Sequence, residues 1–359
     1  MAITSGQQTL RDTLMHNTAQ GELFVKKNDH WVECHACGHR CSIPPGKDGI
    51  CKVRFNDHGV LKVPFGYVNG VQVDPIEKKP FFHALPGAKA LSFGMLGCDY
   101  RCPYCQNWYT SQALRDPSSG GETHPITARR LATIAREQES EVITSTYNEP
   151  LITSEWAHAV FSEAKKLGIV TSYVSNGNGT PEVVAYLRPV LDLFKIDLKG
   201  FRQSHYAVFG GVLKNVLDTI ALVYKNGMWM EIVTLVVEGM NDSDEELKDI
   251  ASFIVSISPS IPWHVTAFHA DYRMDEHTHT GAATLRRAHA LGKEAGLQYV
   301  YAGNRPGELP ELENTYCHSC NTLLIERRGF RILRNNIRNG RCHACSTAIP
   351  GFWHRNLPS

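Results

Sequence analysis

Leu91-Ser92-Phe93-Gly94-Met95-Leu96-Gly97-Cys98-Asp99-Tyr100-Arg101-Cys102-Pro103-Tyr104-Cys105 is an apolar run that ends in a C-x3-C-x2-C cysteine loop. Three thiolates at that spacing can wrap one face of a [4Fe–4S] cubane and leave its fourth iron without a protein ligand. An open iron can bind and activate a small molecule, whereas a cluster with four cysteine ligands is usually an electron carrier or a structural part. The plain alternative for Cys98, Cys102 and Cys105 is a zinc site that borrows a histidine. The loop follows directly on an apolar, strand-like run, an aromatic residue (Tyr104) precedes the third cysteine, and the other cysteines supply their own complete sets. These features favour iron and sulfur.

All eleven cysteines fall into three groups of four, three and four, an odd total that pairing would leave with a stranded thiol. Clustered cysteines in a reducing compartment bind metal more often than they form disulfides, so a cytoplasmic location is expected. The opening twenty residues are polar and mixed, without an apolar core of signal-peptide length, and no uncharged apolar stretch approaches a membrane span. A net charge of +1 over 359 residues gives no global basic field for nucleic acid. With 42% hydrophobic residues the chain can bury one large core with small attachments.

Working outward, the chain divides into a cysteine-rich extension at 1–85, a core at 86–305 and a four-cysteine module at 306–359. In the core, short apolar runs at 88–97, 141–147, 169–174, 191–198, 228–237, 263–268 and 297–301 alternate with helical patterns. Trp156, Val160, Ala164 and Leu167 recur at helical spacing. Thr180-Pro181-Glu182 offers an N-cap with proline at the first helical position, and Ser243-Asp244-Glu245-Glu246 reads as a capping box. Repeated strand–helix units predict an α/β fold with parallel strands, as a barrel or as a doubly wound open sheet; periodicity does not separate the two.

The segment from Leu91 to Cys105, with the following Gln106-Asn107-Trp108, resembles the activating-enzyme branch of the radical S-adenosylmethionine (radical SAM) superfamily, which includes pyruvate formate-lyase activase. Ser145-Thr146-Tyr147-Asn148-Glu149-Pro150, Ser175-Asn176-Gly177, Lys195-Ile196-Asp197-Leu198-Lys199-Gly200 and Ala267-Phe268-His269-Ala270-Asp271-Tyr272-Arg273-Met274 follow in the order of the same barrel. The Tyr-Asn-Glu-Pro form and the cysteine-rich ends are similar to the radical SAM enzyme of the AmmeMemoRadiSam system, over about residues 20–353. The resemblance implies a partial (β/α)6 barrel, a [4Fe–4S] cluster and S-adenosylmethionine at its open end. It also implies reductive cleavage of S-adenosylmethionine to a 5′-deoxyadenosyl radical, which takes hydrogen from a substrate. An external electron donor such as flavodoxin or ferredoxin and neighbours of Memo and AMMECR type are implied as well.

On that resemblance, Thr146, Asn148 and Glu149 stand beside the methionyl amino group. The superfamily usually has Gly-Gly-Glu there, and this chain lacks those two glycines. An ionised Glu149 can pair with the ammonium; its plain alternative is a strand-to-helix turn. Tyr104 is expected beside the adenine or simply packed, and Ser175 and Asn176 are ribose or carboxylate contacts or an ordinary turn. Asp197 and Lys199 share one side of a strand, with Ile196 and Leu198 on the other. They are either a structural ion pair or groups that act beside substrate, because a buried unpaired charge is costly. His269 is a candidate for moving a substrate proton, or a satisfied strand-end histidine.

Cys317-x2-Cys320 and Cys342-x2-Cys345 are paired knuckles of the kind that hold tetrahedral zinc, with a second electron-transfer cluster as the rival. Residues 317–359 carry seven arginines against one acidic residue, Glu326. They form a solvated face or a docking surface for an acidic partner or RNA backbone. Cys34-x2-Cys37-x3-Cys41-x9-Cys51 suits structural zinc or an auxiliary [4Fe–4S] cluster. Two alternatives remain enzymes, a glycyl-radical activase and an RNA-modifying radical enzyme; against catalysis altogether stands a non-catalytic adaptor with three zinc sites.

Overall fold

A computed structural model describes residues 9–353 of the chain. Its centre is an eight-stranded sheet formed by β1 (Gly70–Pro75), β2 (Lys89–Gly94), β3 (Val142–Ser145), β4 (Val170–Ser175), β5 (Leu193–Asp197), β6 (Trp229–Val236), β7 (Trp263–Ala267) and β8 (Val300–Gly303). Strands β2 to β8 are parallel, and each pairs with its neighbour in sequence. Helical connections at Ala128–Glu137, Ser154–Lys166, Pro181–Leu187, Gln203–Phe209 with Leu213–Lys225, Asp244–Ile257 and Ala282–Glu294 cover the sheet. Strands β1 and β8 end the order without pairing to each other, so the sheet is open. One cavity is nonetheless lined from the strand ends of β3 through β8, which requires the sheet to curl. The architecture is the expected partial α/β barrel.

Helix Ser154–Lys166 shows how the pattern becomes packing. Trp156, Val160 and Ala164 are buried as their spacing predicts, together with Phe161. Each large apolar side chain buried this way contributes about 1.5–3 kcal/mol. Thr180 caps its helix by accepting from Val183 N. Ser243 likewise accepts from Glu246 N, but the reciprocal half of the expected capping box is not the role Glu246 takes. Its carboxylate instead accepts from Phe201 N and meets His205 Nδ1 at 3.1 Å, because the helix start is buried against the loop after β5.

β1 pairs antiparallel with β2 from Gly70↔Gly94 to Pro75↔Lys89, so a strand before residue 85 belongs to the central sheet. The chain ahead of it is joined to the barrel by a buried two-pronged ion pair. Arg54 donates from both terminal nitrogens to Glu155 at 2.7 Å, and both side chains are buried. At the other end, Phe82, Tyr299, Tyr301, Cys317, Leu324, Ile325, Cys342 and Ile349 form a separate apolar cluster that fixes the C-terminal module to the barrel. Arg327 is buried there, donating to Phe82 O and Thr315 Oγ1 at 2.7 Å and stacking over the Phe82 ring. One of the seven arginines is therefore interior glue rather than docking surface, and Arg355 lies outside the described residues. Among the described residues no single helix is long and apolar enough to cross a membrane.

Candidate active site

Cys98, Cys102 and Cys105 line a cavity of about 470 Å³ at the C-terminal ends of the parallel strands, the end at which α/β barrels carry their working groups. The loop folds back on itself: Tyr100 N donates to Cys98 Sγ at 3.3 Å, and Cys105 Sγ lies 3.4 Å from Ser111 Oγ. Burial first, then Asp99, push the Cys98 thiol well above its ordinary range, and burial takes Cys102 up to about 12. Thiols ligate metal in their deprotonated form, so loading the site releases protons.

Beside them, Glu149 follows β3 and is almost wholly buried. Its carboxylate accepts from Ser175 Oγ at 2.7 Å, Asn176 N at 2.7 Å and Leu151 N at 3.0 Å. Burial and the neighbouring Asp99 push the carboxyl up to about 8, against the pull of those three donors. Ser175 and Asn176 thus hold Glu149 in place while also lining the cavity. The Asn176 side chain goes the other way, donating to Asp99 Oδ1 at 2.7 Å, and Asn178 Nδ2 donates to Asp99 Oδ2 at 2.8 Å. Asp99, between the first two cysteines, is the hub that registers the cysteine loop against the end of β4. Asn148 also works on the backbone: Met95 N donates to its Oδ1 at 3.0 Å, joining the ends of β2 and β3. Thr146 lines the cavity, and its N–H continues the β2–β3 ladder to Phe93 O.

On the next strand, β5 and the residues just after it carry a charge triad that also lines the cavity. Asp197 bonds Lys195 Nζ and, at 3.0 Å, Lys199 Nζ. Burial would raise the Asp197 carboxyl, but the two lysines outweigh it and hold it at about 2. Burial likewise opposes the Lys199 charge, and Asp197, then Cys102, overcome it and raise its pKa. Lys195 escaped the sequence reading, although the alternation that paired Asp197 with Lys199 extends one step back to it. Ser175 pairs with Ile196 across β4 and β5, so the Glu149 anchor and this triad stand on neighbouring strand ends.

Tyr104 is buried in the cavity wall, edge-on to Phe209 and Phe268, with no partner for its hydroxyl. His269 is not among the residues that line the cavity: its ring is exposed and meets Nε2 of Gln106, a lining residue, at 2.7 Å. In its place the structure supplies Lys79, Tyr147 and Phe330 to the lining. Phe330 sits at the turn between Leu323–Arg328 and Arg331–Asn335 of the C-terminal module and is 47% exposed at the cavity mouth. No local signal marks it, since only the docking of that module brings it there.

The three cysteine groups differ in geometry. Cys317, Cys320, Cys342 and Cys345 bring all four sulfurs within 4.8 Å of one another, with Cys317–Cys345 at 3.6 Å and Cys320–Cys342 at 3.7 Å. That arrangement is ready for one metal ion. The cavity fits the groups expected of it on its own chemistry: three soft thiols suit iron and sulfur. A buried carboxylate and an unpartnered hydroxyl in the wall suit a cationic, polar ligand.

Residues 94–254 match the radical SAM superfamily. The chain is 36% identical over 330 residues to an uncharacterised protein of Methanocaldococcus jannaschii, spanning 91% of this chain and 97% of that one. It is 25% identical over 191 residues to the pyruvate formate-lyase-activating enzyme of Streptococcus mutans, covering 51% of this chain and 72% of that one. Solved structures similar to it include Streptococcus suis SuiB bound to S-adenosylmethionine (TM-score 0.48, 13% identity, 67% of this chain and 56% of that one). Another is a domain of the activating enzyme from Bacteroides vulgatus (TM-score 0.39, 18% identity, 45% of this chain and 98% of that one). This chain belongs to the radical SAM superfamily and is an enzyme of that type, a membership that implies a [4Fe–4S] cluster and S-adenosylmethionine.

Proposed function

We propose that the cavity binds S-adenosylmethionine against a cluster held by Cys98, Cys102 and Cys105, and that the enzyme takes a hydrogen atom from a substrate admitted past Phe330. The observation that supports this most is the convergence of the three thiols, Glu149 and the Lys195–Asp197–Lys199 triad on one cavity. When bound, the cluster and its ligand supply the electron, the carbon–sulfur cleavage and the hydrogen-abstracting radical. The chain supplies placement. Glu149, held by Ser175 and Asn176, offers a carboxylate to an ammonium, and that pairing pulls its raised pKa back down. Lys195, Asp197 and Lys199 together place one net positive charge in the wall. Tyr104, Phe209 and Phe268 keep water from one side.

Within the superfamily the reading is the AmmeMemoRadiSam branch, supported by the Ser145–Pro150 motif and the cysteine-rich ends. The likeness to the activating enzyme reaches only about half of this chain. We assign the C-terminal four cysteines to zinc, whose closed tetrahedral shell suits sulfurs that close together. A flavodoxin- or ferredoxin-type donor, Memo- and AMMECR-type partners and a cytoplasmic location belong to the same proposal.

The test is anaerobic incubation with S-adenosylmethionine and dithionite. The intact protein should release 5′-deoxyadenosine, Cys102→Ala should release none, and Cys345→Ala should retain cleavage while losing stability. Full turnover by Cys102→Ala would refute the site.

A further inference from the structure

We propose that Cys34, Cys37, Cys41 and Cys51 hold a second iron–sulfur cluster of the [4Fe–4S] class, not a zinc ion, and that it lies against the catalytic cysteine loop. The first argument is the spread of the sulfurs. Four thiolates on one tetrahedral zinc, each about 2.3 Å from the metal, stand about 3.8 Å from one another. The C-terminal cysteines meet that description at 3.6 and 3.7 Å. Among the described residues, no three of the N-terminal four have sulfurs mutually within 4.8 Å. The catalytic three share that openness. In a cubane each cysteine ligates a different iron, so its sulfurs stand farther apart than around a single ion.

The second argument is that this region already shares the core of the barrel. Leu23, Val32, Ile43, Leu61 and Val63 belong to the main core, and Arg54–Glu155 adds a buried tie to the barrel. A zinc staple is the device of a module that lacks a core of its own. That describes the C-terminal cysteines better than these.

The third is position. A Cβ on Gly97, which has φ +92° and immediately precedes Cys98, would stand 2.8 Å from Val53 Cγ1 and 3.3 Å from the Cys51 carbonyl oxygen. The two cysteine loops thus lie side by side, with glycine at 97 favoured by its positive φ and by the room a Cβ would take from Val53. A polar bridge runs alongside. Gly38 N donates to Asn178 O at 2.8 Å, and Asn178 Nδ2 donates to Asp99 Oδ2, the residue beside Cys98. Ile50 N donates to Cys41 Sγ at 3.4 Å, the kind of contact that tunes cluster sulfurs.

This inference goes beyond the proposed activity, and its test separates the two. The full chain is purified anaerobically, without reconstitution, from cells supplied with both iron and zinc; iron, zinc and sulfide are then counted. About eight iron and one zinc per chain are expected. Cys41→Ser should lower iron by about four and leave zinc unchanged. The triple variant Cys98→Ala/Cys102→Ala/Cys105→Ala should keep about four iron and a low-temperature EPR signal on dithionite reduction while cleaving no S-adenosylmethionine. If Cys41→Ser does not fold, the triple variant decides alone. About four iron with two zinc in the intact protein, or an iron-free triple variant, would overturn the inference. Failure of the catalytic reading would appear instead as an intact protein, iron-loaded, that never forms 5′-deoxyadenosine.

Discussion

Asp197→Asn strips the counter-charge from two buried ammonium groups. Lys195 and Lys199 both bond the carboxylate, and their side chains are only 7% and 13% exposed. The carboxyl is held at about 2 instead of 3.8, after burial has pushed the other way. A depression of about 2 units corresponds to about 2.5 kcal/mol. Breaking a buried pair by removing one partner costs about 3–5 kcal/mol. Asp197 keeps 29% of its side chain exposed and lines the cavity, where water screens the stranded lysines. We therefore expect a loss of about 2–3 kcal/mol at pH 7. The sign with pH follows from the depressed value. The stabilisation is fully present above pH 3.8 and fades as pH falls toward 2, so neutral pH shows the full deficit. Urea unfolding of the anaerobic full chain measures it, and adding Lys195→Met should recover part of the loss by removing one stranded charge. An unfolding free energy unchanged by Asp197→Asn would show that the triad does not carry this energy. A double variant no more stable than the single would show that Lys195 is not part of it.

Four further outcomes are expected. Glu155→Ala leaves the Arg54 guanidinium buried without its partner and should cost about 3–5 kcal/mol in thermal unfolding; an unchanged midpoint would mean the N-terminal region is held otherwise. His83 is held down to about 4 by burial, with Nδ1 bonded to Pro350 O and Nε2 to the Tyr301 hydroxyl. Its stabilisation is complete above pH 6.5 and is lost as pH falls toward 4, by about 3 kcal/mol in all. Comparing intact protein with His83→Gln at pH 7 and 5 checks this, and parallel losses in the two would contradict it. Cys320→Ser should raise hydrogen exchange across Leu323–Asn335 while leaving β3 and β4 protected, since the apolar cluster under the module is separate from the main core. Glu149→Gln should weaken S-adenosylmethionine binding in equilibrium dialysis by about ten-fold or more, the scale of one charge-assisted hydrogen bond; unaltered binding would place the ammonium elsewhere.

What the chain declares locally survives into the structure because covalent spacing enforces it. The C-x3-C-x2-C loop, the Thr180 cap and the Trp156–Val160–Ala164 face each depend on neighbours a few residues apart. The alternation of Lys195, Asp197 and Lys199 was equally local: the Asp197–Lys199 pair forms as read, and only Lys195 as its third member was missed. Other features had no local sign. Strand β1 adds to the sheet because its backbone groups find those of β2. Asp99 becomes the hub of the site because Asn176 and Asn178 arrive from the end of β4. Phe330 reaches the cavity mouth only because Arg327 and the cluster around Tyr301 dock a distant hairpin. His269, in a promising segment, is exposed and touches the cavity lining only through Gln106. Sequence determined which chemistry the chain can hold; packing between parts far apart in the chain decided which side chains meet, because burial and hydrogen-bond pairing act through space without regard to sequence separation.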